Sequence, residues 1–144
     1  MRMFLRGDQG VGKKAILSRF QGNPFREAEQ QLTTIGADFS SVILKVEDAV
    51  VRVNIFNAVG AERFRSLRRV WYNGVQGMML MYDISNRKSF SNLDSYVGEV
   101  REYLSPTAPV VLIANKSDFS ESRSITIEEG RVTRYHRQIV STSN

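Results

Sequence analysis

Cysteine is absent from this 144-residue sequence, which excludes a disulfide framework, a thiolate metal site, a cysteine nucleophile and any prenyl or palmitoyl attachment. No apolar run approaches the roughly 18–20 residues that would cross a bilayer, and residues 1–6 read as a strand rather than a basic and apolar leader. The expectation is a soluble, intracellular chain of cytoplasmic residence, in which Asn115-Lys116-Ser117 matches a glycosylation sequon only by coincidence. Histidine occurs once; His136 lies far along the chain from the other candidate chemistry and reads as a helix-end residue, not a base or ligand. Internal repeats, linkers and low-complexity tracts are missing as well. What is present is ordinary for a globular domain: hydrophobic residues are 42% and charged residues 24%, which sets aside disorder, collagen-like repeats and coiled coil. At about 100–200 residues per domain, the length allows one. The net charge of +5 suits an anionic partner such as a nucleotide, an acidic protein or a membrane surface, without choosing among them.

Short apolar runs alternate with helical spacing, which predicts an α/β fold with a largely parallel sheet. Residues 1–6 form a strand broken by Gly7, and residues 12–20 place Ala15, Ile16 and Phe20 on a helix face. Residues 21–33 are polar and read as an exposed loop, with Gly22, Asn23 and Pro24 as breakers. Runs over 37–46 and 51–56, separated at Glu47 and Asp48, predict a hairpin. Residues 62–73 read as a loop leading into a short helix. The apolar run 77–83 predicts a strand buried on both faces. Phe90, Leu93, Val97, Val100 and Leu104 keep one face of a helix that Ser89 starts. A second buried strand follows over 109–114, then a helix over 127–136 with Thr126 as N-cap and Glu128 and Glu129 in its first turn. A last strand covers 139–143.

Two motifs carry chemistry. Gly7-Asp8-Gln9-Gly10-Val11-Gly12-Lys13-Lys14 matches G-x-x-x-x-G-K and departs at its last position, where Ser or Thr is expected. Glycines let successive N–H groups converge on phosphates, Lys13 reaches the β- and γ-phosphates, and the missing hydroxyl is the one that ligates Mg²⁺. Alone, such a turn is as readily a packing device as a nucleotide site. Asn115-Lys116-Ser117-Asp118, at the carboxyl end of a buried strand, changes that balance, because ligands bind at such strand ends. Asp118 can accept hydrogen bonds from the N1–H and 2-amino groups of guanine, which adenine does not offer, while the Lys116 stem lies over the base.

With these motifs the chain resembles the Ras superfamily, and within it the Rab family of small GTPases. The residues 33–39, Thr-Thr-Ile-Gly-Ala-Asp-Phe, are similar to the first switch of that family, and the run from Phe56 to Leu67 to the second. Trp71-Tyr72-Asn73-Gly74 and Met81-Tyr82-Asp83-Ile84-Ser85 follow the same pattern, with two extra residues between positions 25 and 33. The resemblance implies a P-loop NTPase fold, the Ras-like G domain: a mainly parallel six-stranded sheet with helices on both faces, one domain over residues 1–144 that stops after the last strand. It implies GTP/GDP held by Gly7, Gln9, Gly10, Val11, Gly12, Lys13, Lys14, Asn115, Lys116 and Asp118, with Phe25 beside the guanine and Ser143 on the base. Thr34 matches the residue that ligates Mg²⁺ and senses the γ-phosphate, and Gly60 the N–H that touches it. Phe39, Phe56 and Trp71 match the triad that reads effector and regulator proteins, although three aromatics filling a groove would look the same.

Three departures fall on the chemistry. Lys14 removes the Mg²⁺ hydroxyl, Asn57 replaces the aspartate that holds the metal through water, and Ala61 replaces the glutamine that orients the attacking water. Regulators that supply an arginine and a glutamine from outside make Ala61 the least decisive. An ammonium about 4 Å from a divalent ion at an effective dielectric near 20 is repelled by about 8 kcal/mol. Lys14 therefore either turns to solvent or sits among the phosphate oxygens in the place of the cation. The family's sheet carries one more helix and a prenylated tail; without them, a bare sheet flank is expected to self-associate or to take a covering partner, and any place at endomembranes is peripheral, with no direct membrane anchor. Arg63, Arg65, Arg68 and Arg69 read as a partner-facing surface, and no aromatic-interleaved groove supports nucleic acid. Asp38, Asp83 and Glu62 are explained by the family's structural motifs rather than by a metal cluster. Two functions follow: a switch in vesicle-mediated transport whose Mg²⁺ coordination and hydrolysis are impaired, or a pseudo-GTPase that serves as a Rab-shaped interaction module without turnover.

Overall fold

The computed structural model describes residues 1–25, 36–59, 68–136 and 140–141, with side chains over 1–25, 39–57 and 70–132. The runs that read as strands pair into one six-stranded sheet: β1 (Arg2–Arg6), β2 (Gly36–Val46), β3 (Ala49–Val59), β4 (Gly77–Asp83), β5 (Val110–Asn115) and β6 (Val140–Ser141), in the order β2-β3-β1-β4-β5-β6. β2 and β3 are antiparallel and every other pairing is parallel. The hairpin turns at Glu47, which takes φ 53; β2 ends at Val46 as expected, while β3 starts at Ala49, closer to the turn than its apolar run alone suggested, and continues to Val59.

The helices are α1 (Lys13–Phe20), α2 (Arg68–Tyr72), α3 (Arg87–Ser91), α4 (Leu93–Tyr103) and α5 (Ile127–His136). Because strand side chains alternate between faces, β1 feeds two cores at once. Met3 and Leu5 join Ile55, Met81, Val11 and Leu17 on the α1 side. Phe4 joins Met78, Leu80, Tyr82, Leu93, Tyr96, Val97 and Val100 on the α4 side. Each fully buried aliphatic side chain contributes about 1.5–3 kcal/mol, so the apolar residues of β1 and β4, which feed both cores, anchor the domain. The expected α/β sheet with helices on both faces forms.

One helix differs from its expectation. Instead of running unbroken from Ser89, the segment is α3 followed by α4, and Asn86 caps α3 by accepting from the N–H groups of Lys88 and Ser89. Ser89 is fully buried, its Oγ accepting from the Asp83 N–H at 3.0 Å and donating to the Asn86 carbonyl at 2.7 Å. A serine engaged with the end of β4 is not available to cap.

Candidate functional site

Four parallel strands bring their carboxyl ends to one edge of the sheet. Gly7 follows β1, Asn57 lies near the end of β3, Asp83 closes β4 and Asn115 closes β5. Parallel pairing sets Leu5 beside Asn57 and Asp83 beside Asn115. Topology therefore gathers segments that the chain keeps far apart, at the edge where α/β sheets bind ligands.

The loop between β1 and α1 turns through Gly7, Gly10 and Gly12 at φ 152, 84 and 99. At Gly12 a Cβ would lie 2.3 Å from Asn115 Nδ2; only glycine leaves that room. Asn115 uses it: its Nδ2 donates to the Val11 carbonyl at 2.7 Å, tying the two sequence motifs together. Lys13 is buried, and its ammonium donates to the carbonyls of Gly7 and Asp8, each at 2.6 Å. Among the described residues α1 has no side-chain cap and no acidic residue in its first turn. Its first N–H groups and the positive end of its dipole thus face the loop without an internal anion. A glycine-rich turn, a buried ammonium and an uncapped helix start together suit a phosphate.

The Asp8 carboxylate is held from outside the loop. Asn92 Nδ2 donates to its Oδ2 at 2.7 Å and the Tyr96 hydroxyl to its Oδ1 at 2.8 Å. Gln9 is exposed. Lys116 adopts φ 64, and its Nζ meets Asp83 Oδ2 at 2.7 Å. Asp83 Oδ1 accepts from the N–H and hydroxyl of Ser85 at 2.9 and 2.6 Å. Burial raises the Asp83 carboxyl, but the hydrogen bonds from Lys116 and Ser85 and the Lys116 charge outweigh it and hold the group below the ordinary carboxylate range. Asp118 is exposed in the short 3-10 segment Ser117–Ser122 just beyond.

Asn57 is fully buried, and neither atom of its amide has a hydrogen-bond partner among the described residues. By alternation it shares the α1 face with Ile55. Lys14, the second residue of α1, is half-buried. A hard divalent cation prefers oxygen ligands, carboxylates above all, and no group of three Asp, Glu, His or Cys side chains that would hold a metal gathers among the described residues.

Thr34, Gly60, Ala61 and Ser143 lie outside the described residues, as do Glu62, Arg63 and Arg65. Phe25 is 67% exposed. Phe39, 57% exposed, stands 5.0 Å from the Phe56 ring, while Phe56 and Trp71 pack against the α4-side core. Part of the aromatic set is thus filler and part is surface. Sequence reasoning passed over Asp8, Asn92 and Tyr96 as partners, and over the buried Arg6; a charged residue at an inward strand position was the one available signal. No helix among the described residues is long and apolar enough to cross a membrane.

A family model described as Ras family matches residues 2–143. The chain is 40% identical over 125 residues to Ras-related protein RABA6b of Arabidopsis thaliana, covering 87% of this chain and 54% of that protein. It is 36% identical over 129 residues to Ras-related protein Rab-4 of Dictyostelium discoideum, covering 90% and 62%, and 33% identical over 139 residues to Rab-11B of the same organism, covering 95% and 62%. The chain thus spans somewhat over half the length of these relatives. With its phosphate loop, its Asn-Lys-Ser-Asp run and its strand order meeting at one edge, the chain belongs to the Ras family and is Rab-like among its small GTPases.

Proposed function

We propose that this chain binds guanine nucleotide as a Rab-like protein of vesicle-mediated transport, with impaired Mg²⁺ coordination and very slow or absent GTP hydrolysis. The observation that carries the binding is the Asn115–Val11 hydrogen bond of 2.7 Å, which seats the base-reading run against the phosphate loop. Gly7, Gly10, Gly12 and Lys13 hold the phosphates, Asp118 reads guanine, and Lys116 is oriented by Asp83. The loss of metal rests on Lys14 and Asn57: an ammonium and a neutral amide stand where a hydroxyl and a carboxylate would ligate, so the described donors do not fit Mg²⁺. Ala61 has no group to orient water. Phe39, Phe56 and Trp71 serve effector and regulator proteins.

Titration with a fluorescent GDP analogue, with millimolar Mg²⁺ and again with EDTA, tests this reading. The expected result is binding that EDTA leaves unchanged or improves. Tight binding that requires the metal would overturn the assignment of Lys14 and Asn57. Absence of binding in a folded sample would favour the second reading, a Rab-shaped interaction module without nucleotide turnover, to which the same departures and the exposed Phe39 point.

A further inference from the structure

Arg6 is not explained by the phosphate-loop motif. It ends β1, one residue before Gly7, and it is 1% exposed. Its Nη2 donates to Glu99 Oε2 at 2.7 Å, from α4. The same oxygen accepts from the Tyr72 hydroxyl of α2 at 2.8 Å. Burial pushes the Tyr72 phenol up, Arg6 opposes this and Glu99 adds to it, so Tyr72 remains a donor. The Arg6 guanidinium carbon also lies 4.8 Å from the centre of the Tyr96 ring, a cation–π distance. The Tyr96 hydroxyl is one of the two groups that hold Asp8 in the phosphate loop. Tyr96 and Glu99 are neighbours one turn apart on α4, so a single helical turn carries both ends of the connection.

We propose that Arg6 and Glu99 are positioning residues that couple α2 to the phosphate loop. Tyr72 sets Glu99, Glu99 sets Arg6, and Arg6 with Tyr96 sets the Asp8 carboxylate and thereby the loop. α2 directly follows the stretch that carries Gly60 and Ala61. The functional consequence, a nucleotide site that responds to where α2 lies, rests on the guanine-nucleotide reading above and goes beyond it by naming the connection. A buried ion pair by itself argues little for stability, since an apolar replacement is often as stable. What singles out this one is that it joins two elements at one end to a ligand loop at the other.

Tyr72→Phe and Tyr96→Phe each remove one hydroxyl at opposite ends and keep the rings and the ion pair. Amide hydrogen exchange on the full chain without nucleotide is the first measurement. Tyr72→Phe is expected to raise exchange in residues 7–12, and Tyr96→Phe to raise it in α2, because coupling between two sites is reciprocal. Release of a fluorescent GDP analogue should quicken about three- to tenfold in each variant, and the double variant should gain less than the product of the two. Exchange confined to the substituted element would overturn the coupling. So would a lowered Tm with loop exchange and release unchanged, the mark of a merely structural contact. If the unsubstituted chain binds no nucleotide, the nucleotide reading fails, and the exchange measurement still decides the coupling by itself.

Discussion

Gly12 and the Asn115 amide share one space, and the sharing is testable. A Cβ at Gly12 would meet Asn115 Nδ2 at 2.3 Å on a backbone at φ 99. Gly12→Ala should displace Asn115, break its bond to Val11 and weaken guanine-nucleotide binding about tenfold or more, the value of a hydrogen bond of roughly 1.4 kcal/mol; fluorescence titration reads it. Gly10→Ala meets nothing within 4 Å and should cost only the left-handed backbone, about 1–2 kcal/mol. Asp83 makes a prediction about pH. A carboxyl lowered in the folded state adds stability above its ordinary pKa and loses it as pH falls through the lowered value. Stability should therefore fall below about pH 4, and Asp83→Asn, which leaves Lys116 without its carboxylate, should show a lower Tm at neutral pH and a shallower acid slope. Thermal unfolding as a function of pH decides it. The glycine-rich turn was legible in the sequence because it follows from residue type at fixed spacing; that Asn115 fills the space beside Gly12 was not. The Lys116–Asp83 pair was not, because it depends on which strand end lies beside β5.

At the level of elements, α4 holds the site from behind. Leu93, at its first turn, is fully buried in the α4-side core. Leu93→Ala should cost about 2–5 kcal/mol of stability, measured by denaturant unfolding, and should loosen Asn92 and Tyr96 against Asp8 along with it. The apolar spacing of this helix was readable over nearly its whole length, since burial of one face imposes a 3.6-residue period. Its division at Asn92 was not readable. The Asn92 side chain turns to Asp8, 84 residues earlier in the chain, and a local pattern holds no record of so distant a partner. The central strand β4 was legible for the complementary reason: it is apolar on both faces because helices cover both, and an unbroken apolar run shows as much.

For the whole molecule, the proposal that Lys14, Asn57 and Ala61 impair Mg²⁺ coordination and hydrolysis is tested by reversing all three. Lys14→Ser, Asn57→Asp and Ala61→Gln together should restore Mg²⁺-dependent hydrolysis, read as phosphate release with and without EDTA. A triple variant that stays inert would place the defect elsewhere. The fully buried Asn57, with neither amide atom partnered among the described residues, makes the second substitution the most informative. A carboxylate there without a cation would be a costly buried charge, so Asn57→Asp alone should lower stability in EDTA, and Mg²⁺ should recover it if the site accepts the ion.

The sequence by itself determined the fold class, the six strands, the glycine-rich turn after β1 and the position of the Asn-Lys-Ser-Asp run at the end of β5, because each is written in local period or in residue types at set spacing. Tertiary structure alone decided that Asn115 closes on Val11, that Asp83 rather than solvent receives Lys116, and that Arg6 is buried with Glu99, Tyr72 and Tyr96. Those contacts join residues from different strands and helices. Only the order in which the strands assemble brings them within reach of a hydrogen bond.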